Sequence, residues 1–206
     1  MGRQAARASG RRNDPEGLRR RLLDAAFAAF TTRGYHATSI HDLKREVGAT
    51  GGALAHHFPT KRDLGIARPG GRDCGGETWI RPVVTAPTAR KGILAVFADI
   101  VVQLEKQGRV SGCPLNNLAL ELARYDPEFR RLIDAIFTRW RKAIADKIRA
   151  DRGAAVSRGV DPDAFAALVV ATYSGAMAMA KASQSAAPLK ICSKQLAKAM
   201  RDWRVR

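Results

Sequence analysis

The chain has 206 residues, enough to bury a substantial core in one or two domains, and a composition of 46% hydrophobic and 27% charged residues suits an ordinary soluble globular protein. Its formal net charge of +17 calls for a polyanionic partner, either nucleic acid or an anionic membrane surface. No run of about 18 apolar residues offers a membrane span, no apolar stretch follows the Arg-rich start as a secretory signal requires, and three widely spaced cysteines, Cys74, Cys113 and Cys192, fit a reducing, cytoplasmic setting rather than a disulfide framework.

Residues 1–14 are basic, small and aperiodic, and read as a disordered basic arm, with a transit peptide as the other reading. A first helix is expected from Pro15 to Arg33, capped by Asp14 and ended by Gly34. Leu18, Leu22, Ala26, Phe27 and Phe30 share one face at helical spacing. In "TSIHDLKREVG", Ser39 and Asp42 form a capping box, with Thr38 as the alternative cap. Ile40, Leu43 and Val47 then make the stripe of a short second helix that Gly48 closes. Thr50 caps a third helix whose buried side is Leu54 and Phe58. Pro59 stops it, and Thr60 with Asp63 opens a fourth at "KRDLGIA".

Residues 68–76, "RPGGRDCGG", hold one proline and four glycines and cannot make a good helix. Helical pattern returns from Arg90 to Gln107, again through Leu115, Leu118 and Leu122, and then behind "DPEF" and "DPDAF". In both of the latter an aspartate, Asp126 or Asp161, caps and a proline leads. A last helix is expected from about Leu189 to Trp203. No strand pattern and no repeat is found, so the expected fold is all-α.

Two short helices joined by "GAT", with a first helix across them, spell a helix-turn-helix. The second helix of such a pair enters the major groove. Small residues at its start, here Gly51, Gly52 and Ala53 behind Thr50, let backbone approach the duplex, and its free N–H groups favour phosphate. The two glycines each cost roughly 1 kcal/mol of helix stability against alanine, so close approach is their expected justification. The plain alternative is that "TGGA" is a loop; the two capping boxes, the turn glycine and the basic arm all weigh against it.

The stretch "GYHATSIHDLKREVGATGGALAHHFPTKRDL" resembles the DNA-binding signature of the TetR (tetracycline-repressor-like) family of transcriptional regulators. The shared pattern is Gly-Tyr, Thr-Ser-Ile, Asp-Leu, Val-Gly, a small-residue cap, Leu-x-x-His-Phe, Lys and Asp-Leu. "GCPLNNLALELA" resembles one branch of the same family. The resemblance implies a DNA-binding domain over residues 15–64 and a helical ligand-binding and dimerisation domain over 65–206. It also implies a two-fold homodimer and a small-molecule inducer in the C-terminal domain. By family position Thr38, Thr50, His56, His57 and Lys61 match phosphate-holding residues, with Ser39 beside them, and Gly51, Gly52 and Ala53 match residues facing base edges. Ala55 departs from the pattern, where tyrosine is frequent. With so few base-reading side chains, specificity is expected to draw on DNA shape and on the basic arm.

In that family the helix after "KRDLG" runs on where this chain has "ARPGGRDCGGETW". Two explanations stand: a loose hinge, or a compensated pair of frame errors in the gene sequence. Polar Thr172, Tyr173 and Ser174 inside an apolar helix, taken with the resemblance, make Phe97, Asn117, Leu118, Phe137, Trp140, Tyr173 and Met177 candidate inducer-lining residues; plain core packing is the competing reading. The small-residue helix "DPDAFAALVVATYSGAMAMAKAS" and the last helix are the candidate dimer interface.

Other chemistry is sparse. Adjacent helical residues point about 100° apart, so His56 and His57 do not chelate one metal, and no metal is expected. Cys113 at a helix start could carry a lowered pKa and sense redox state, against the plainer reading of a buried small residue. No catalytic motif and no cofactor site is found, so an enzyme is not expected. The sequence therefore points to a ligand-responsive, sequence-specific repressor on a pseudo-palindromic double-stranded operator. The alternatives are a non-specific architectural DNA-binding protein without inducer and a helical small-molecule-binding protein.

Overall fold

The computed structural model describes residues 14–67, 79–152 and 160–201. These form ten α-helices and, among the described residues, no strand. The basic arm before Asp14, the Gly-rich break at 68–76 with Cys74, and Trp203 lie outside the described residues.

The head consists of α1 (Pro15–Thr32), α2 (Ile40–Val47), α3 (Gly51–His57) and α4 (Lys61–Ala67). Each starts where local chemistry dictates. Asp14 accepts from Gly17 N at 2.8 Å, Ser39 from Asp42 N at 3.0 Å, and Thr50 from Ala53 N at 3.2 Å. Thr60 and Asp63 satisfy one another reciprocally. Such caps contribute about 1 kcal/mol apiece. Ser39, not Thr38, caps α2. Gly48 ends that helix at φ 67°, a left-handed conformation that a glycine adopts without strain. Leu22, Ala26, Phe30, Leu43, Leu54, Phe58 and Leu64 close the head's core.

The body comprises α5 (Arg81–Thr85), α6 (Ala89–Gln107), α7 (Pro114–Leu122), α8 (Pro127–Arg152), α9 (Pro162–Ser183) and α10 (Ala187–Ala199). Asp126 and Asp161 cap α8 and α9 as expected. The short α5 has no counterpart in the sequence reading. It is held by burial of Val83 and by Gly92 of α6, where a Cβ would come within 2.7 Å of the Val83 Cα. α10 starts two residues before expectation, with proline in its first turn, and ends at Ala199 rather than near Trp203. α8 packs on α9 and on α5, α6 and α7, so it is the spine of the body. Six of its apolar residues, Phe129, Ile133, Ile136, Trp140, Ile144 and Ile148, are buried.

The expectation that no stretch is apolar enough to span a bilayer needs correction. α9 is long and apolar enough by length and composition, because its many alanines raise its hydropathy. It packs on α8 and α10 along one face, while Leu168 and Met179 of another face are exposed.

Candidate nucleic-acid interface and the aromatic core behind it

α3 presents its first turn outward. Gly51 and Gly52 are exposed and neither has a positive φ. A Cβ added at Gly52 would meet nothing within 4 Å, and one at Gly51 would meet only the Lys44 Nζ at 3.8 Å. Neither backbone conformation nor internal packing therefore requires these glycines. Thr50, Ala53 and His56 lie on the same short helix or at its cap; His56 is exposed, and His57 is half-buried between it and Phe58. Lys44 stands beside the start of α3 and makes no ion pair among the described residues; the sequence reading passed over it because it lies on α2.

The remaining residues placed at the DNA surface by sequence have internal partners. Thr38 is buried and its hydroxyl donates to Gly34 O at 2.8 Å. The Lys61 ammonium donates to the carbonyls of Tyr35 and Thr38, both at 3.1 Å, and lies 4.5 Å from the Tyr35 ring centroid. Ser39 Oγ is committed to the Asp42 carboxylate at 2.6 Å, and that hydrogen bond lowers the Asp42 pKa. Here these three residues brace the α1–α2 turn, while Thr50, Gly51, Gly52 and His56 are exposed and Ala53 is half-buried.

Two polar ties among the described residues join the head to the body. Arg62 of α4 grips Asp126 and Glu128 at the start of α8. Its hydrogen bonds, with the backbone N–H groups of Phe129 and Glu128, hold the Asp126 carboxyl down to about 2. Glu121 of α7 accepts from His36 N at 3.1 Å. Between these polar ties sit the Tyr35 and Phe129 rings, edge to face at 5.6 Å. Burial, and then the nearby Asp126 charge, raise the Tyr35 pKa.

Behind this joint the body closes on an aromatic cluster. Trp79, just before α5, stacks on Trp140 of α8 at 5.3 Å and meets Tyr173 of α9 edge to face at 4.7 Å. Phe97 of α6 lies 6.0 Å from Trp79, and Phe137 lies 5.7 Å from Trp140. Four of the expected inducer-lining residues, Phe97, Phe137, Trp140 and Tyr173, are thus brought together. Leu118 and Met177 are buried in the same core. Asn117 faces elsewhere: its amide donates to Ser111 O and accepts from Lys181 Nζ, tying the loop before α7 to α9.

Trp79 was missed by sequence because it follows the Gly-rich break and belongs to no periodic run. The Nε1 atoms of Trp79 and Trp140 are buried without a hydrogen-bond partner among the described residues. Trp79 Nε1 lies near the Tyr173 hydroxyl without making a hydrogen bond of proper geometry. An unsatisfied buried donor costs about 1–3 kcal/mol, so two in one cluster are unusual. Cys113, the N-cap of α7, is buried beside Tyr173. Burial raises its pKa, opposite to the lowering expected from a helix start. The Tyr173 pKa is likewise raised well above its ordinary value, by burial and then by Cys113.

An all-helical chain with a capped helix-turn-helix head riding on a larger helical body is the architecture of a one-component DNA-binding transcriptional regulator. Residues 22–67 match the family described as bacterial regulatory proteins of the tetR family, and residues 89–195 match the C-terminal domain of LmrA/YxaF-like transcriptional regulators. The chain belongs to the TetR family of transcriptional regulators. It is 27% identical over 190 residues to an uncharacterised HTH-type transcriptional regulator of Mycobacterium tuberculosis, covering 88% of this chain and 93% of that protein. A TetR regulator from Chloroflexus aurantiacus superposes with a TM-score of 0.81 at 26% identity, over 91% of this chain and 96% of the other. A regulator from Saccharomonospora viridis in complex with choline shares the fold, with a TM-score of 0.72 at 23% identity over 90% and 96%. The family and these relatives are transcriptional regulators, not enzymes.

Proposed function

We propose that this TetR-family regulator is a ligand-responsive homodimeric repressor that occupies a pseudo-palindromic operator until a small-molecule inducer releases it. The observation that carries the reading is the outward first turn of α3. Two exposed glycines that nothing inside the protein requires cost helix stability, and an approaching duplex gives them a purpose. Thr50, Gly51, Gly52, Ala53 and His56 form the contact turn in this proposal, with His57 at its edge. Lys44 supplies a phosphate contact beside it. Thr38, Ser39 and Lys61 act one step back, by setting the angle of α2 and α4.

Residues 15–64 would act as the reading head and 65–206 as the ligand and dimer unit, with the boundary falling inside α4. The exposed Leu168 and Met179 of α9 and Ile191 of α10 support a dimer face on these helices. The two heads then enter major grooves about one helical turn apart, or a multiple of it. A ligand that binds better to a conformation with wrongly spaced heads shifts the population off DNA by its differential affinity. Repression by occupancy is a task for the bacterial cytoplasm, where the operator is.

The test is binding of the purified protein to its own upstream DNA against scrambled competitor, across a salt series. A discrete site that survives competitor supports the reading. The +17 charge favours a second reading, a general DNA binder; uniform binding that fades steeply with salt would establish that instead.

A further inference from the structure

The body core carries two buried indole N–H groups without a hydrogen bond of proper geometry among the described residues, although the Tyr173 hydroxyl lies near that of Trp79. Trp79 and Trp140 are more than nine-tenths buried, their rings are stacked, and neither Nε1 finds an acceptor among the described residues. They meet where α5, α6, α8 and α9 converge, with Phe97 and Tyr173 packed beside them. Among the described residues no Asp, Glu, Lys or Arg side chain is buried. Among the described residues no carboxylate, ammonium or guanidinium is therefore buried in this cluster to balance a charged guest.

We propose that the inducer of this regulator is an uncharged, largely apolar molecule that carries carbonyl-type acceptor oxygen, and that the indole N–H groups of Trp79 and Trp140 bind that oxygen. This rests on the reading of the chain as ligand-responsive and specifies its site. Three features select the class. Buried N–H donors demand an acceptor, because each gave up its water partner on folding. A charged guest would lose its hydration with no counter-charge in return. Aromatic walls with few polar groups give apolar contact over the rest of the molecule.

The same placement gives a route to the head. Trp140 and the residues that grip Arg62 are on one helix, α8. About 13 residues separate Trp140 from its first turn, roughly 20 Å along a continuous helix. Accommodating a guest between the Trp79 and Trp140 rings displaces α8, and its N-terminus carries Asp126, Glu128 and Phe129 against the head.

The test uses the full-length dimer labelled with nitrogen-15 and follows indole N–H resonances, assigned with Trp79→Phe and Trp140→Phe. The probes are 1-tetralone, an uncharged aromatic ketone, and choline and benzoate as cationic and anionic counterparts. The expected result is saturable binding of 1-tetralone that moves the Trp79 and Trp140 signals downfield, about tenfold weaker binding in each Phe variant, and no competition from choline or benzoate. Binding of 1-tetralone with both indole signals unmoved would overturn the assignment, as would its failure to bind, or saturable binding of choline or benzoate at this cluster. If either variant does not fold, Trp203→Phe leaves the Trp79 and Trp140 signals as the two that remain, and their shifts decide the matter. Operator release is scored separately: 1-tetralone bound at the two indoles without release of DNA refutes the ligand-responsive reading, while release by a charged ligand alone upholds that reading and refutes this chemistry.

Discussion

The Arg62 guanidinium reaches from α4 of the head to the start of α8 and holds Asp126 twice, from Nε at 2.5 Å and Nη2 at 3.0 Å, with a third contact to Glu128 at 2.8 Å. Fork-to-carboxylate geometry of this kind fixes orientation as well as proximity. Because the pair is partly exposed, its main consequence is mechanical rather than a large share of folding stability. Arg62→Ala should leave the melting temperature nearly unchanged. It should raise the inducer concentration needed for half-release of operator DNA by about fivefold or more. An unaltered release curve in a DNA-binding titration would remove this contact from the coupling route.

The same contact has a pH signature. The Asp126 carboxyl titrates at about 2 in the folded protein against an ordinary 3.8, chiefly because it accepts from Arg62. A depressed carboxylate stabilises the fold fully above its unfolded value, and that contribution is lost as pH falls through the folded value. The stability difference between wild type and Asp126→Asn should thus be constant above about pH 5 and shrink between about pH 4 and 2. Urea unfolding at a series of pH values checks it; a difference that changes near neutrality would assign the dependence to another group.

Gly52→Ala separates folding from function. With open space around the added Cβ and no positive φ, alanine should stabilise α3 by up to about 1 kcal/mol. On the proposed contact turn the same methyl should weaken operator binding, by about tenfold, through lost backbone approach. Denaturant unfolding and DNA titration on one sample read both quantities. Unchanged affinity would leave α3 without its assigned role.

Gly65 of α4 is the opposite case. A Cβ there would lie 2.7 Å from Phe129 Cζ and 3.0 Å from Tyr35 Cε2. Both rings are buried and hold each other edge to face, so neither can give way. Gly65→Ala should destabilise the protein by about 1–3 kcal/mol through overpacking, seen as a lower denaturation midpoint at unchanged slope.

The cysteines should differ in reactivity. Cys113 is buried and its thiol is pushed up by that burial, whereas Cys192 is partly exposed. Between these two, a maleimide reagent at neutral pH should modify Cys192 first and reach Cys113 only on unfolding. Mass spectrometry of timed digests reports the order. Early Cys113 labelling would revive a redox role for it.

Helix starts with a side-chain cap were legible in the sequence because they are chemistry between near neighbours, whereas α5 and α10 have no such cap and were missed or misplaced. Asp14, Ser39, Thr50, Thr60, Asp126 and Asp161 each bond a group within three residues, and a glycine at φ 67° ends α2 on purely local grounds. The all-α class and the helix-turn-helix followed from these signals and from apolar spacing.

Only the tertiary structure decided which polar groups face outward. Lys61 sits among residues read as DNA contacts, yet its ammonium is turned onto the carbonyls of Tyr35 and Thr38, more than twenty positions away. Asn117 follows a similar rule, drawn away from the aromatic core by Lys181, 64 positions along the chain. Trp79 carries no periodic signal, and its place opposite Trp140 arises from the packing of α5 on α8. Local hydrogen bonds specify where helices begin and end. The direction of each side chain, and whether its donors find acceptors, depend on contacts between residues far apart in sequence, which are settled only when the helices pack.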